Sequence, residues 1–472
     1  MKKMNIILIL LDDMGWMDLS CYGSKFYETP NIDRLAAEGM FFSDAYAACP
    51  VCSPSRASIL TGKYPARLGV TDWLDHSGSI HPCRGRLIDA PYIKYLALDE
   101  TSIAAALKKG GYRTWHLGKW HLGQEPYWPK KHGFDVNLGG CHLGHPPQGY
   151  FTPWGIPTLP EGAPGEYLTD RLTDEAIRLL NNNDSTPFFM NFWHYAVHTP
   201  IQAPDDLVKK YEMKARDLGL DQEKTFEDGE FFSTEHKKYQ RVRRRLLQSD
   251  PAYAAMLENL DRNFGRLLTA LDELRLSDNT AIIFTSDNGG LATAEGSPTC
   301  NAPLLDGKGW MYEGGTRAPL LIKVPAITAP GSHCATPVTS PDIYQTLLEI
   351  AGLPLRPEQH CDGVSMMPLL QGGTGLGRDA IYWHYPHYGN QGGTPGCSVR
   401  SGEWKLIEFF DDNRLELYNL NEDISESDNR ATAEPALRDR LHAKLKAWRN
   451  EVNAIIPACN PQWNNSNQGT LS

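Results

Sequence analysis

Asn5-Ile-Ile-Leu-Ile-Leu-Leu11, followed at once by Asp12-Asp13, is the stretch on which the fold turns. Its apolar residues run on without alternation, so both faces of the segment must be buried. A short strand of that kind belongs inside a parallel sheet covered by helices on both sides. Phe188 to Trp193 and Thr280 to Thr285 have the same character, and the second leads into Asp287-Asn288. Helical signals separate these runs. Thr29-Pro30-Asn31 opens a helix that Gly39 ends, and another runs from Ser53-Pro54 to Thr61-Gly62. Thr101 is placed to cap Ser102 to Lys109, which Gly110-Gly111 stop before the strand-like Tyr112 to Leu117. Ser249-Asp250-Pro251 starts a long amphipathic helix with Met256, Leu260, Phe264, Leu267 and Leu271 on one face. Strand and helix alternate, which predicts an α/β fold: a large mixed sheet, mainly parallel, sandwiched by helices.

Outward from that core the rhythm changes twice. Residues 124–165 are rich in Gly, Pro, His and aromatics and read as a long functional loop. Residues 205–248 are charged and read as an exposed helical insertion, with Arg241, Arg243, Arg244 and Arg245 on a solvated face. From about 380 the segments shorten: Ser398 to Arg400, Trp404 to Phe410, Glu416 to Asn419, then a helix from Pro435 to Glu451. The expected division is a catalytic unit over 1–379 and a small C-terminal α+β domain with an antiparallel sheet over 380–472.

The 472 residues carry 46 Lys+Arg against 57 Asp+Glu, a net charge of −11. An acidic total argues against a nucleic-acid coat, and no nucleic-acid motif is present. The longest early apolar run is far short of the roughly 20 residues that cross a bilayer, so no membrane span is expected. Met1-Lys2-Lys3 imitates the start of a signal peptide, but no small-residue cleavage site follows. As written the chain reads as cytoplasmic, or as periplasmic or secreted if a leader has been removed. Ten cysteines are scattered without a disulfide framework, and most read as buried thiols. Cys49 and Cys52 form one CPVC, which raises a redox pair as a minor alternative. The oligomeric state is not legible.

Asp12-Asp13 and Asp287-Asn288 each follow a buried strand, the place where open α/β sheets bind their ligands. Three carboxylates and an amide oxygen converging there suit a hard cation, Ca²⁺ or Mg²⁺. The plain alternative is that each Asp caps the next element. Cys52-Ser-Pro-Ser-Arg56-Ala-Ser-Ile-Leu-Thr-Gly62 puts a small nucleophilic side chain at a helix N-terminus, where free amides and the dipole favour an anion. Arg56 lies a turn further on, within reach of the same anion.

That segment resembles the C-x-P-S-R-x-x-x-x-T-G signature of the type I sulfatases, members of the alkaline phosphatase superfamily. The resemblance continues in order through Gly118-Lys119-Trp-His121-Leu-Gly123, His198 in HYAVHTP, Lys308 before YEGGTR, and the Trp404-Lys-Leu-Ile and Glu416-Leu-Tyr-Asn-Leu segments. It implies an alkaline-phosphatase-like fold. It implies that Asp12, Asp13, Asp287, Asn288 and the modified Cys52 bind Ca²⁺ (Mg²⁺ remaining open). It implies that a sulfatase-maturing enzyme converts Cys52 to formylglycine, whose hydrate is the nucleophile. Arg56, Lys119, His121, His198 and Lys308 are then catalytic, with the leaving-group acid open between His198 and Lys308. Trp73, His76, His142 and His145, with Tyr150, are the candidate substrate-binding wall. His116 and His194 read as core or loop residues, and Arg317 as half of a structural ion pair.

The expected reaction is hydrolysis of a small organic sulfate monoester, probed most simply as a sugar or aryl sulfate. An exo-acting enzyme on sulfated carbohydrate is favoured, since Asp13-Met-Gly-Trp16, Cys21-Tyr-Gly23 and Lys131-His-Gly-Phe-Asp135 resemble sulfatases of amino-sugar and galactose units. Aryl or steroid sulfatase and phosphonate monoester or phosphodiester hydrolase are the alternatives within the superfamily. A sugar-binding module without activity and metal-only hydrolysis with an unmodified thiol are the remaining ones.

Overall fold

The structure, a computed structural model, describes residues 3–76, 78 and 80–463. Met1, Lys2 and residues 464–472 of the expected C-terminal unit lie outside the described residues. An eight-stranded sheet runs Ser332–Cys334, Met40–Phe42, Leu320–Lys323, Thr280–Ser286, Asn5–Leu11, Phe188–Trp193, Arg113–Gly118, Val136–Leu138 from edge to edge. Asn5–Leu11 sits inside it, parallel to Thr280–Ser286 on one side and to Phe188–Trp193 on the other. Arg113–Gly118 and Val136–Leu138 extend the parallel block. Leu320–Lys323 runs antiparallel to both its neighbours, which makes the sheet mixed.

The unbroken apolar run has the expected cause. Ile7, Ile9 and Leu11 enter one core with Leu260, Phe264 and Leu267 of the helix Pro251–Glu273. Ile6, Leu8 and Leu10 enter the opposite core with Ile59 and Leu60 of Cys52–Thr61 and Leu347 of Asp342–Ile350. Each such side chain contributes about 1.5–3 kcal/mol by leaving water. Because five neighbouring strands are parallel, their carboxyl ends share one rim, and the chain leaves that rim at Asp12, Lys119, Gly139, His194 and Asp287.

Helix starts follow their caps. The Asp250 carboxylate accepts from the amides of Ala252 and Tyr253 at 3.0 and 3.1 Å, with Pro251 at the first helical position. Ser102, rather than Thr101, caps Ile103–Lys109 by accepting from the Ala105 amide at 3.0 Å.

The charged stretch 205–248 corrects the expectation. Only Asp205–Asp217 is α-helical; Phe226–Phe231 and Arg241–Arg245 form an antiparallel hairpin. Alternation explains it. Val242 is fully buried, while the guanidinium groups of Arg241 and Arg243 lie over the rings of Phe231 and Phe226, at 4.2 and 4.1 Å. Arg244 pairs with Glu230 and Asp306, and Arg245 is buried, so the arginines are not one solvated face.

Near the C-terminus four antiparallel strands follow in chain order: Ile381–Tyr385, which the sequence reading omitted, Gly396–Ser401, Trp404–Phe409 and Leu415–Asn419. One face packs on Leu441, Leu445 and Trp448 of the helix Pro435–Glu451. The other packs on Tyr46, Val51 and Met311 of the large unit. A buried ionic cluster lies at that junction, with Lys405 Nζ 2.9 Å from both Glu313 Oε1 and Glu426 Oε1. Arg317 joins it through Glu313 at 2.7 Å, the structural ion pair expected of it. Among the described residues no helix is long and apolar enough to cross a membrane.

Candidate active site

Strand order sets the floor of the site. Leu11 pairs with Ser286, so Asp12-Asp13 and Asp287-Asn288 emerge side by side. Asp12 continues the pairing on the other flank, donating its amide to the Ala196 carbonyl at 3.1 Å while Val197 donates to the Asp12 carbonyl at 2.9 Å. Arg113–Gly118 brings Lys119 to the same rim. Gly118 has φ +90°, and a Cβ there would lie 1.8 Å from the Trp193 carbonyl oxygen, so only glycine allows this approach. Asp13 and His121, both non-glycine, also have positive φ, at 62° and 57°. Such conformations cost about 1–3 kcal/mol and concentrate at functional sites.

Charges interlock on this floor. Lys119 Nζ is 2.6 Å from Asp12 Oδ2, and Lys308 Nζ is 2.7 Å from Asp13 Oδ2. Arg56 donates from Nε to Asp287 Oδ2 at 2.8 Å and from Nη1 to the Lys119 carbonyl at 3.1 Å, with its guanidinium 5.2 Å from the Trp193 ring. Asn288 Nδ2 donates to Asp13 Oδ1 at 2.9 Å. Burial and the neighbouring carboxylate push Asp287 up, although Arg56 opposes it. Burial alone would also raise Asp13, but the Lys308 ammonium holds it below the usual carboxylate range.

Two buried acceptors are left over: Asp12 Oδ1 and Asn288 Oδ1 have no hydrogen-bond partner. An unsatisfied buried oxygen is costly, and oxygens from three carboxylates and an amide suit a hard divalent cation. The donor set therefore fits such an ion. His198 joins the candidate ligands, since Asp12, Asp13 and His198 offer atoms within 4.8 Å of one another.

Above the floor stands the helix Cys52–Thr61, all 10 of whose residues are buried. Cys52 Sγ lies 3.3 Å from His121 Nδ1, and Ser53 Oγ donates to the His121 carbonyl at 2.8 Å, fixing strand end and helix start together. Burial pushes the Cys52 thiol up and, with Lys119 and Arg56 close by, holds His121 neutral. Cys49 is also buried and unbridged, and Cys52 turns to His121, which leaves the CPVC redox reading without support. His198 donates from Nδ1 to the Thr199 carbonyl at 2.8 Å and presents Nε2 to Lys308 Nζ at 3.1 Å. Burial and that ammonium keep His198 neutral.

These groups open into a cavity of about 830 Å³. Cys52, His121, His198 and Lys308 form its depth, and Trp73, His76, His142 and His145 all line its wall. The rings of His145 and His198 stack at 6.0 Å, and Trp128 stacks on His142 at 6.4 Å. Tyr150 corrects the expectation: it is fully buried, with its hydroxyl donating to the carbonyls of Tyr195 and His198, so it supports the His198 turn from behind. His116 is structural, bonded to Asn191 and the Gly118 carbonyl, and His194 is buried. Sequence reasoning missed Glu295, Asn390 and Gln391 on the wall. Their segments carry no periodic or motif signal; only Gly389-Asn-Gln-Gly-Gly393 marks a loop.

Comparison with known proteins agrees with this geometry. A family model described as Sulfatase matches residues 4–353, and one described as N-sulphoglucosamine sulphohydrolase, C-terminal, matches residues 304–451. A sulfatase of Formosa agariphila is 32% identical, over 96% of this chain and 90% of its own length. The N-acetylgalactosamine-6-sulfatase of Homo sapiens is 32% identical over 80% of this chain and 68% of its own. The solved structure of Ps i-CgsB with k-i-k-neocarrahexaose superposes with a TM-score of 0.74 at 30% identity, covering 98% of this chain and 94% of that one. The fold is alkaline-phosphatase-like and the activity is that of a sulfuric ester hydrolase. The chain belongs to the sulfatase family.

Proposed function

We propose that this protein is an exo-acting, formylglycine-dependent sulfatase that removes sulfate from carbohydrate. The observation that carries the reading is the placement of Cys52: at the start of a buried helix, against His121, in a cavity that it lines together with Lys308, with Arg56 and Lys119 fully buried among the neighbouring acids. The similarity to an N-acetylgalactosamine-6-sulfatase and to a protein solved with a neocarrahexaose supports a sugar as the leaving alcohol.

Asp12, Asp13, Asp287 and Asn288 would hold a divalent cation, Ca²⁺ by family resemblance. The ion supplies positive charge to the sulfate oxygens, and a hydrated aldehyde at position 52 supplies an oxygen nucleophile. The rest falls to the chain's own residues. Arg56 locks Asp287, while Lys119 and Lys308 set their charges on Asp12 and Asp13, so the site is preorganised for a dianionic transition state. His121 Nδ1, 3.3 Å from the atom that side-chain modification would change, is placed to take a proton from position 52. The Lys308–His198 pair holds a proton between Nζ and Nε2 at 3.1 Å and delivers it to the departing alkoxide.

Two measurements test the proposal. The tryptic peptide Leu35 to Arg56, from protein made with a sulfatase-maturing enzyme, is expected to show the mass of the aldehyde in place of cysteine. Sulfate release from a panel of sulfated monosaccharides is expected to exceed turnover of aryl phosphodiesters and to vanish in Cys52→Ala. An unshifted thiol in an active enzyme sinks the formylglycine mechanism, and preference for the diester sinks the sulfatase assignment. Chelation of divalent ions is expected to abolish turnover, with Ca²⁺ restoring it better than Mg²⁺.

A further inference from the structure

A cavity that binds an anion carries a carboxylate at its mouth. Asp75 and Glu295 are the two acids among its described lining residues, and they are used differently. The Asp75 carboxylate accepts from the backbone amides of Gly78 and Ile80 at 3.1 and 3.0 Å, which spends it on shaping its own loop. Glu295 is exposed and faces the cavity. Its Oε1 accepts from Asn390 Nδ2 at 3.0 Å and from Gln391 Nε2 at 2.9 Å. Among the described residues no donor reaches its Oε2. The backbone at Glu295 is left-handed, φ 53°, a conformation that side-chain-bearing residues rarely adopt. Two amides thus aim one carboxylate from a strained loop into the pocket that also contains Lys308, His198 and His145.

A negative charge here works against the approach of any sulfate. Recognition must offset that cost, and an ionised carboxylate oxygen recognises hydrogen-bond donors. Sulfate itself offers none; the ring hydroxyls of a sugar do. We propose that Glu295, aimed by Asn390 and Gln391, is a specificity-determining residue that accepts a hydrogen bond from a free sugar hydroxyl beside the sulfated position and disfavours a second sulfate there. The inference rests on the sulfatase reading of the site and narrows it to monosulfated, hydroxyl-bearing sugars at the position being cleaved. Hydroxyl-free aryl sulfates can use the depth of the pocket but meet only repulsion from Glu295.

The test compares wild type with Glu295→Gln, which keeps the shape and the bonds from Asn390 and Gln391 while removing the charge. The probes are 4-nitrophenyl sulfate, the monosulfated hexose that wild type turns over best, and its disulfated counterpart. For the monosulfated sugar kcat/KM is expected to fall about tenfold or more, mainly through KM, the loss expected of one hydrogen bond to a charged acceptor. For 4-nitrophenyl sulfate kcat/KM is expected to rise, and the disulfated sugar is expected to gain relative to the monosulfated one. Glu295→Asp, which keeps the charge on a shorter arm, is expected to fall between the two. Opposite signs on the two substrate types cannot come from general damage to the fold. A parallel fall on all three, or no change on any, overturns the proposal. If wild type releases sulfate from none of the probes, the sulfatase reading itself has failed, an outcome distinct from the failure of Glu295 to discriminate.

Discussion

Arg56 is wholly buried and bonded at both edges of its guanidinium, to Asp287 and to the Lys119 carbonyl. Removing it leaves a buried carboxylate without its partner, the costly way to break an ion pair. Arg56→Met is expected to lower unfolding stability by about 3 kcal/mol or more in urea titrations, with part of the loss recovered on adding a divalent cation. The legible residues were those tied to an element boundary. Asp12, Asp13, Asp287 and Asn288 follow buried strands, and Cys52 and Arg56 sit in a helix start with its own motif. Glu295 was not legible because its role depends on amides nearly 100 positions away in sequence. Tyr150 was misplaced for a related reason: an aromatic in a polar loop looks like a pocket wall until its hydroxyl is seen to serve two backbone carbonyls.

At the scale of elements, the segment carrying Trp73 and His76 is anchored by a relay. His81 lies between Asp89 Oδ2, 3.1 Å from Nδ1, and Asp72 Oδ2, 3.3 Å from Nε2. Burial works against the charged imidazole, but the two carboxylates prevail and push His81 up to about 11. A folded value above the ordinary 6.5 means that this contribution is whole below that pH and fades as pH climbs towards 11. The melting-temperature deficit of His81→Gln is therefore expected to be largest near about pH 6 and to shrink towards about pH 10. A deficit that grows with pH would contradict the relay. Pro251–Glu273 was legible because its Asp250 cap is local chemistry, whereas Leu168–Asn181 and Asp342–Ile350, which start without a side-chain cap, were not read. The hairpin Phe226–Phe231 with Arg241–Arg245 was read as helix because charge obscured its alternation.

Across the whole molecule, the two units are joined by Lys405 between Glu313 and Glu426, all three fully buried at their side chains. Burial, with Glu313 beside it, pushes Glu426 up to about 7, against an ordinary 4.5. The folded protein therefore holds this proton more tightly than the unfolded chain, and stability drops as pH rises between those values. Lys405→Met is expected to cost about 3–5 kcal/mol, measured by chemical denaturation. The deficit is expected to widen between about pH 5 and pH 8, because two facing acids without a cation must then ionise. The pairing of strands had a similar fate in the reading. Runs such as Asn5–Leu11 announced a parallel sheet, whereas the antiparallel Leu320–Lys323 is set by Thr280–Ser286 and the distant Met40–Phe42, and the omitted Ile381–Tyr385 pairs with the next strand, Gly396–Ser401.

The order of strands also sets a timetable. Asn5 pairs with Thr280, 275 residues downstream, so one flank of the strand stays open during most of the chain's synthesis. At about 5–20 residues per second that interval lasts on the order of tens of seconds. Within it Cys52 is made 69 residues before His121, and Lys308 follows only after Thr280. Under the proposed formylglycine mechanism, an enzyme that oxidises this thiol would meet an open side chain early and a buried one late, so maturation would be a race between the modifying enzyme and the ribosome.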